Sequence, residues 1–214
     1  YYTPKWLADY IMQWVTSSQP KRILEPSCGD GVFFTADCLI HSSIKEIYAF
    51  DIDDSAVSAS TSLIESHDID AHAYHEDFLR WALNNMWSNS PITFDAVVGN
   101  PPFIRYQYLE SDMQNESQKI FGHLGLKFTK HTNAWIPFVL ASIEFLVPGG
   151  RIGMVIPSEV LHIMYAKELR SYLLNQCSKI MLIDPEEIWF DGTLQGAMIL
   201  FAEKKISSKD IFQG

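Results

Sequence analysis

Two short stretches of this chain carry groups whose types and spacing could do chemistry. In Glu25-Pro26-Ser27-Cys28-Gly29-Asp30-Gly31, glycines stand where a sharply turning backbone must approach a ligand without a Cβ in the way. The second stretch is Asn100-Pro101-Pro102-Phe103. There the Asn100 side-chain carbonyl and the Pro101 backbone carbonyl can each accept a hydrogen from a substrate nitrogen whose lone pair is delocalised. Holding both hydrogens pushes that nitrogen towards tetrahedral geometry and aims its lone pair at an electrophile, so positioning and directed electrostatics would supply the rate. The paired prolines fix two φ angles and remove two backbone donors, which presents the carbonyl rigidly. Phe103 could stack on a planar substrate. Asn and Pro also build ordinary turns after buried strands; the glycine turn and the acids elsewhere in the chain favour the catalytic alternative.

The first stretch is not a dinucleotide loop, because the third glycine of GxGxxG would fall at Phe34. A nucleoside cofactor without phosphates fits better, with Glu25, Ser27, Cys28, Gly29 and Gly31 around it. Asp51 lies about 20 residues beyond the glycine turn, where a carboxylate can accept from both ribose hydroxyls. Asp53 and Asp54 compete with it but are read as caps of a helix beginning near Ser55. Ile52 could lie against an adenine ring. Asp77 and Phe78 offer the same pair of devices, an acceptor for an amino group and an aromatic face. No His stands near Cys28 to activate a thiolate, so Cys28 is read as a small turn residue.

The elements that must position these residues alternate in a βα pattern. Strands are expected at Arg22 to Glu25, Glu46 to Asp51, Asp70 to Tyr74, Phe94 to Gly99, Arg151 to Ile156, Ile180 to Asp184 and Gln195 to Glu203. Helices are expected at Trp6 to Thr16, Val32 to His41, Ser55 to Ser66, Phe78 to Met86, Asn133 to Leu146 and Met164 to Cys177, with Pro148-Gly149-Gly150 turning the chain into the fifth strand. This predicts an α/β fold with a seven-stranded, mostly parallel sheet, helices on both faces and an antiparallel pair at one edge. Tyr106 to Thr132 reads as irregular. Its Arg105, Lys119, Lys127, Lys130 and His131, interleaved with Tyr106, Tyr108 and Phe128, form either a local nucleic-acid surface or a solvated insert.

The 214 residues suit one domain, a cofactor-binding half over about 1–90 and a target half over about 91–214. With no apolar run of membrane length and no signal-like start, a soluble cytoplasmic protein is expected. Three irregularly spaced cysteines suggest reduced thiols, and the seven histidines show no zinc spacing. The net charge of -10 argues against a chain that grips nucleic acid by itself.

YTP before a helix, LEPSCGDGVFF, FDID, EDF, FDAVVGNPPF and GGRIGMVIPSE occur in an order that resembles the gamma-class N6-adenine-specific DNA methyltransferases of restriction-modification systems. The resemblance implies a class I S-adenosylmethionine-dependent methyltransferase (Rossmann-like) fold and transfer of a methyl group to the exocyclic amino group of an adenine flipped out of DNA. It implies that Asn100, Pro101, Pro102 and Phe103 are catalytic, that Asn100 also borders the cofactor, and that Thr3 lies near the cofactor's methionine end. Phe190 would help Phe103 hold the base, although Trp189 adjoins it. RNA base and protein glutamine methyltransferases share NPPF or a close variant and stay open as alternatives, as does an inactive cofactor- or nucleic-acid-binding module. The TP motif, the insert beginning IRYQYL and the segment EEIWFDGTLQGAMILF favour DNA. Family members usually carry a separate target-recognition region, so DNA is expected to be read by a domain or subunit outside this chain.

Overall fold

The computed structural model describes residues 3–40, 42–184 and 196–206. Seven strands form one sheet: β1 (Arg22–Glu25), β2 (Glu46–Asp51), β3 (Asp70–His75), β4 (Phe94–Gly99), β5 (Leu146–Pro157), β6 (Cys177–Ile183) and β7 (Ala197–Lys204). Their order is β3-β2-β1-β4-β5-β7-β6. The first five are mutually parallel, whereas β7 inserts antiparallel to both β5 and β6. The expected mostly parallel sheet with an antiparallel edge pair is the one that forms.

Alternation along the central strands divides the interior in two. Leu24 and Val97 enter one core, while Ile23, Ala96 and Val98 enter the other, and all five are fully buried. Strands covered on both faces must read as continuous apolar runs, as RILE and FDAVVG largely do. The first core is closed by α3 (Phe78–Met86), α4 (Ser111–His123), α5 (Trp135–Glu144) and α6 (Lys167–Gln176), the second by α1 (Lys5–Thr16), α2 (Asp54–Glu65) and the Phe33-Phe34 turn. No helix among the described residues is long and apolar enough to cross a membrane.

Three expectations need correction. Val32 to His41 is not one helix but two 3-10 turns, Val32–Thr35 and Asp37–Leu39, with His41 outside the described residues. The Thr35 hydroxyl donates to the Val32 carbonyl at 2.7 Å and Ala36 is extended at φ -70, ψ 129, which stops propagation after one turn. The Pro148-Gly149-Gly150 turn lies inside β5 as an irregularity, where the partner register jumps from Leu146 to Arg151 while β4 advances from Phe94 to Ala96. The irregular stretch contains α4, whose polar sequence hides it: Arg80 reaches its Glu116 at 2.9 Å, and Gln114 Nε2 donates to the Tyr106 and Leu109 carbonyls. The remaining differences are boundary shifts of a few residues, the largest being the short 3-10 turn Met164–Ala166 before α6.

Candidate active site

Strand order runs outward in both directions from β1 and β4, so a crevice opens beyond their carboxyl ends. Both chemical stretches leave from there. Glu25 ends β1 and Gly99 ends β4, and the Ser27 hydroxyl donates to the Asn100 carbonyl at 3.3 Å, which ties the two turns together.

The glycine turn is held from three sides. Cys28 N–H donates to the Phe50 carbonyl at 2.8 Å, and Gly31 N–H donates back to the Cys28 carbonyl at 2.9 Å. Gly29 N–H donates to Asp51 Oδ2 at 2.8 Å, while the Ser60 hydroxyl of α2 donates to the Gly29 carbonyl at 3.2 Å. Gly29 and Gly31 both have positive φ, +51 and +78. A Cβ on Gly29 would meet nothing within 4 Å, whereas one on Gly31 would lie 2.9 Å from Ser60 Oγ and 3.2 Å from its Cα. Gly29 therefore opens the turn to a ligand, and Gly31 lets α2 close behind it. Ser60 carried no recognisable signal in the sequence.

Asp51 also accepts from Asp53 N–H at 3.0 Å through Oδ1. Each of its oxygens thus holds one backbone hydrogen and keeps lone-pair capacity for another donor. Asp53 caps α2, accepting from Ser55 N–H at 2.8 Å, and Asp54 is the first helical residue. Ile52 is 69% exposed beside the turn. Asp77 caps α3 by accepting from Leu79 N–H at 2.7 Å, and burial pushes its carboxyl above the ordinary range. Phe78 is placed differently from the aromatic face expected of it. Its ring is buried between Phe50, Trp81 and Phe138 and belongs to the core. The Cys28 thiol is pushed up to about 12, chiefly by burial and then by nearby Glu25, which suits a turn residue and not a nucleophile.

Glu25 is 1% exposed, and its Oε2 has no hydrogen-bond partner among the described residues. Burial first, then the charges of Asp51 and Asp30, hold its carboxyl well above the ordinary range. In the cofactor-free protein the folded state therefore keeps this proton after the unfolded chain has lost it. Stability is full below the ordinary glutamate pKa and declines as pH rises towards the raised one. Glu25→Gln is expected to flatten that decline, read as thermal midpoints of the two proteins between about pH 5 and pH 8.

Asn100 Nδ2 donates to the hydroxyl of Thr3, a residue 7% exposed, at 3.1 Å. The bond holds the side-chain amide in one orientation. Asn100 Oδ1 and the Pro101 carbonyl are left without partners among the described residues. Phe103 is half-buried and anchored against both cores. Phe190 and Trp189 lie outside the described residues. Thr3→Val keeps the shape but removes the anchor, and is expected to lower kcat about tenfold, with Thr3→Ser retaining most of it. Turnover kinetics beside a ligand-binding measurement separate this from a change in affinity.

The fold implies S-adenosylmethionine as cofactor, and the residues fit it. The open Cβ direction at Gly29 leaves room beside the turn, Asp51 can take ribose hydroxyls, and the unpartnered Glu25 oxygen suits a cationic methionine end.

The comparisons agree. A Listeria monocytogenes protein assigned to the class I S-adenosylmethionine-dependent methyltransferases superposes with a TM-score of 0.69 at 16% identity, covering 95% of this chain and 60% of that one. The type I restriction-modification methyltransferase subunit from Streptococcus thermophilus gives 0.68 at 18% identity, covering 95% and 45%. In sequence, the chain is 33% identical to the type II methyltransferase M.AccI of Acinetobacter calcoaceticus over 98% of its own length and 37% of the relative's. It is 26% identical to M.HincII of Haemophilus influenzae over 99% and 38%. The chain thus spans under two-fifths of these curated relatives. The profile of the N-6 DNA Methylase family matches residues 1–213. The chain belongs to that family.

Proposed function

We propose that the chain transfers a methyl group from S-adenosylmethionine to the N6 amino group of a flipped adenine in DNA, as the modification part of a restriction-modification system. The observation that carries this is the pair of unpartnered acceptors, Asn100 Oδ1 and the Pro101 carbonyl, fixed beside the glycine turn by Thr3 and Ser27. An exocyclic amine conjugated to a ring is a poor nucleophile and cannot be deprotonated cheaply near neutral pH. It has two hydrogens, and the turn has two acceptors. The bound cofactor supplies an electrophilic methyl on a sulfonium. Asn100 and Pro101 orient the nitrogen towards it, while Phe103, with Phe190, stacks on the base; stacking is worth about 1 to 3 kcal/mol per base against the cost of flipping.

The motif order supports the gamma class. A cofactor-binding half over about 1–90 and a target half over about 91–214 follow from it, with Asn100 bordering both ligands. The net charge of -10 and the small share of the relatives covered support sequence recognition by a region or subunit outside these 214 residues. Host DNA would be met in the cytoplasm.

The test is tritiated methyl transfer from S-adenosylmethionine to duplex DNA, RNA and a glutamine-bearing protein, with the chain alone and with its native flanks. Label in DNA that digests to N6-methyladenine is expected. Label in RNA or protein but not in DNA overturns the assignment, and no label with intact cofactor binding identifies an inactive binding module.

A further inference from the structure

Beyond the catalytic turn lies an open cavity of about 660 Å³ to which Asn100–Phe103 contribute no wall. Three segments build it, around Arg105, around Lys130 to Asn133, and from Glu159 to Tyr165. The first two are joined by a bridge between Arg105 and Asn133 and by Ala134 N–H donating to the Ile104 carbonyl at 2.8 Å. Donors and an acceptor both line it. Arg105, Lys130 and His131 are exposed. Asn133 is 2% exposed, and its buried Oδ1 has no hydrogen-bond partner among the described residues. Beside it, the Glu159 carboxylate accepts from the Tyr165 hydroxyl.

The unpartnered oxygen points to a ligand, because a buried amide acceptor is costly unless something supplies a hydrogen. The arginines point the same way. The chain has five. Arg22 pairs with Glu46, Arg80 with Glu116 and Arg151 with Glu203, and Arg170 donates to the Val160 and Ile163 carbonyls. Arg105, at the cavity, has no hydrogen bond or ion pair of its side chain among the described residues. Among the described residues its guanidinium is the one left open to an anion, which it can hold with two parallel hydrogen bonds.

We propose that this cavity seats a nucleotide next to the methylated base on the same strand. Its phosphate would lie on Arg105 and Lys130, and its base, one bearing an exocyclic amino group, would donate to the buried Asn133 Oδ1. A nucleotide uses both: its phosphate needs donors and its amino-bearing base needs an acceptor. Arg105 is two residues beyond Phe103, at most about 7 Å of chain, which is on the scale of one nucleotide step. The proposal rests on DNA being the substrate.

The experiment measures methyl transfer to a duplex carrying the methylated sequence, over a range of salt concentrations. Arg105→Ala is expected to raise KM for DNA about tenfold and to reduce the salt slope by about one, with kcat and cofactor affinity unchanged. Lys45→Ala removes the same charge from an exposed position just before β2, at the end of the sheet away from the crevice, and leaves KM where it was. An abasic sugar placed on one side of the target adenine is expected to raise the wild-type KM about tenfold, and Asn133→Ala or the milder Asn133→Ser to erase that difference. Equal effects of Arg105→Ala and Lys45→Ala, or indifference to abasic sugars on both sides, overturn the proposal. Wild-type label in RNA or protein but not DNA removes the functional assignment and this one with it. Wild-type label in DNA with Arg105→Ala at the wild-type KM removes the cavity's role alone.

Discussion

Asn100→Ala is expected to slow methyl transfer about 10³-fold, roughly 4 kcal/mol of barrier, while the protein stays folded and still binds cofactor. The size follows from what the side chain does. In the proposed reaction its Oδ1 is one of two acceptors that shape the nitrogen, and its Nδ2 bond to Thr3, 3.1 Å long, fixes where that oxygen sits. Truncation removes the acceptor and leaves a water-like environment that cannot hold the amine in line. The structural loss is smaller, about one hydrogen bond or 0.5 to 1.5 kcal/mol, because Asn100 is only half-buried. Single-turnover kinetics beside a cofactor titration read the two separately, and a rate within tenfold of wild type would remove Asn100 from the chemistry.

The second large effect is at Gly31. Gly31→Ala places a Cβ at φ +78 and 2.9 Å from Ser60 Oγ, with Leu63 Cδ1 at 3.0 Å and the Ser60 backbone at 3.2 Å. The left-handed conformation costs about 1 to 2 kcal/mol and overpacking about 1 to 3, so a loss of about 2 to 5 kcal/mol is expected. That is a large part of the 5 to 15 kcal/mol typical of a domain. Gly29→Ala provides the contrast. Its Cβ meets no protein atom within 4 Å, so stability falls only by the conformational cost, but the methyl stands in the space proposed for the cofactor. Denaturant midpoints should drop furthest for Gly31→Ala, and cofactor affinity should drop at least as far for Gly29→Ala. A reversed order in the midpoints would contradict the packing described at the turn.

Legibility in the sequence followed how locally each feature is determined. β1, β2, β4 and α3 begin and end where expected, because short apolar runs bounded by Pro, Gly, Asp and Asn define them without tertiary help. α4 is hidden in the sequence because its stability comes from elsewhere: Ile120 and Phe121 are buried, but Glu116 needs Arg80, 36 residues earlier in the chain. Val32 to His41 read as a helix because the pattern cannot show Ala36 going extended with Phe33 and Phe34 both buried. At the site, the Glu25, Gly29, Gly31, Asp51 and Asn100 positions were legible because each follows directly from a strand end. Phe78 was not, since a helix-start aromatic can face the crevice or the core, and the neighbouring Phe50, Trp81 and Phe138 draw it inward. The cavity at Arg105 draws on segments more than 50 residues apart, from Arg105 to Tyr165, and no local pattern announces it.

The Gly29 peptide is gripped at both ends, its N–H by Asp51 and its carbonyl by Ser60. The two grips come from a strand and a helix that are already packed, so the turn has its binding shape before any ligand arrives. Loading the cofactor then requires no rearrangement of this turn. Its association should follow a single exponential whose rate rises in proportion to cofactor concentration without levelling off, the kinetic signature of a site that is ready and not one that forms on demand.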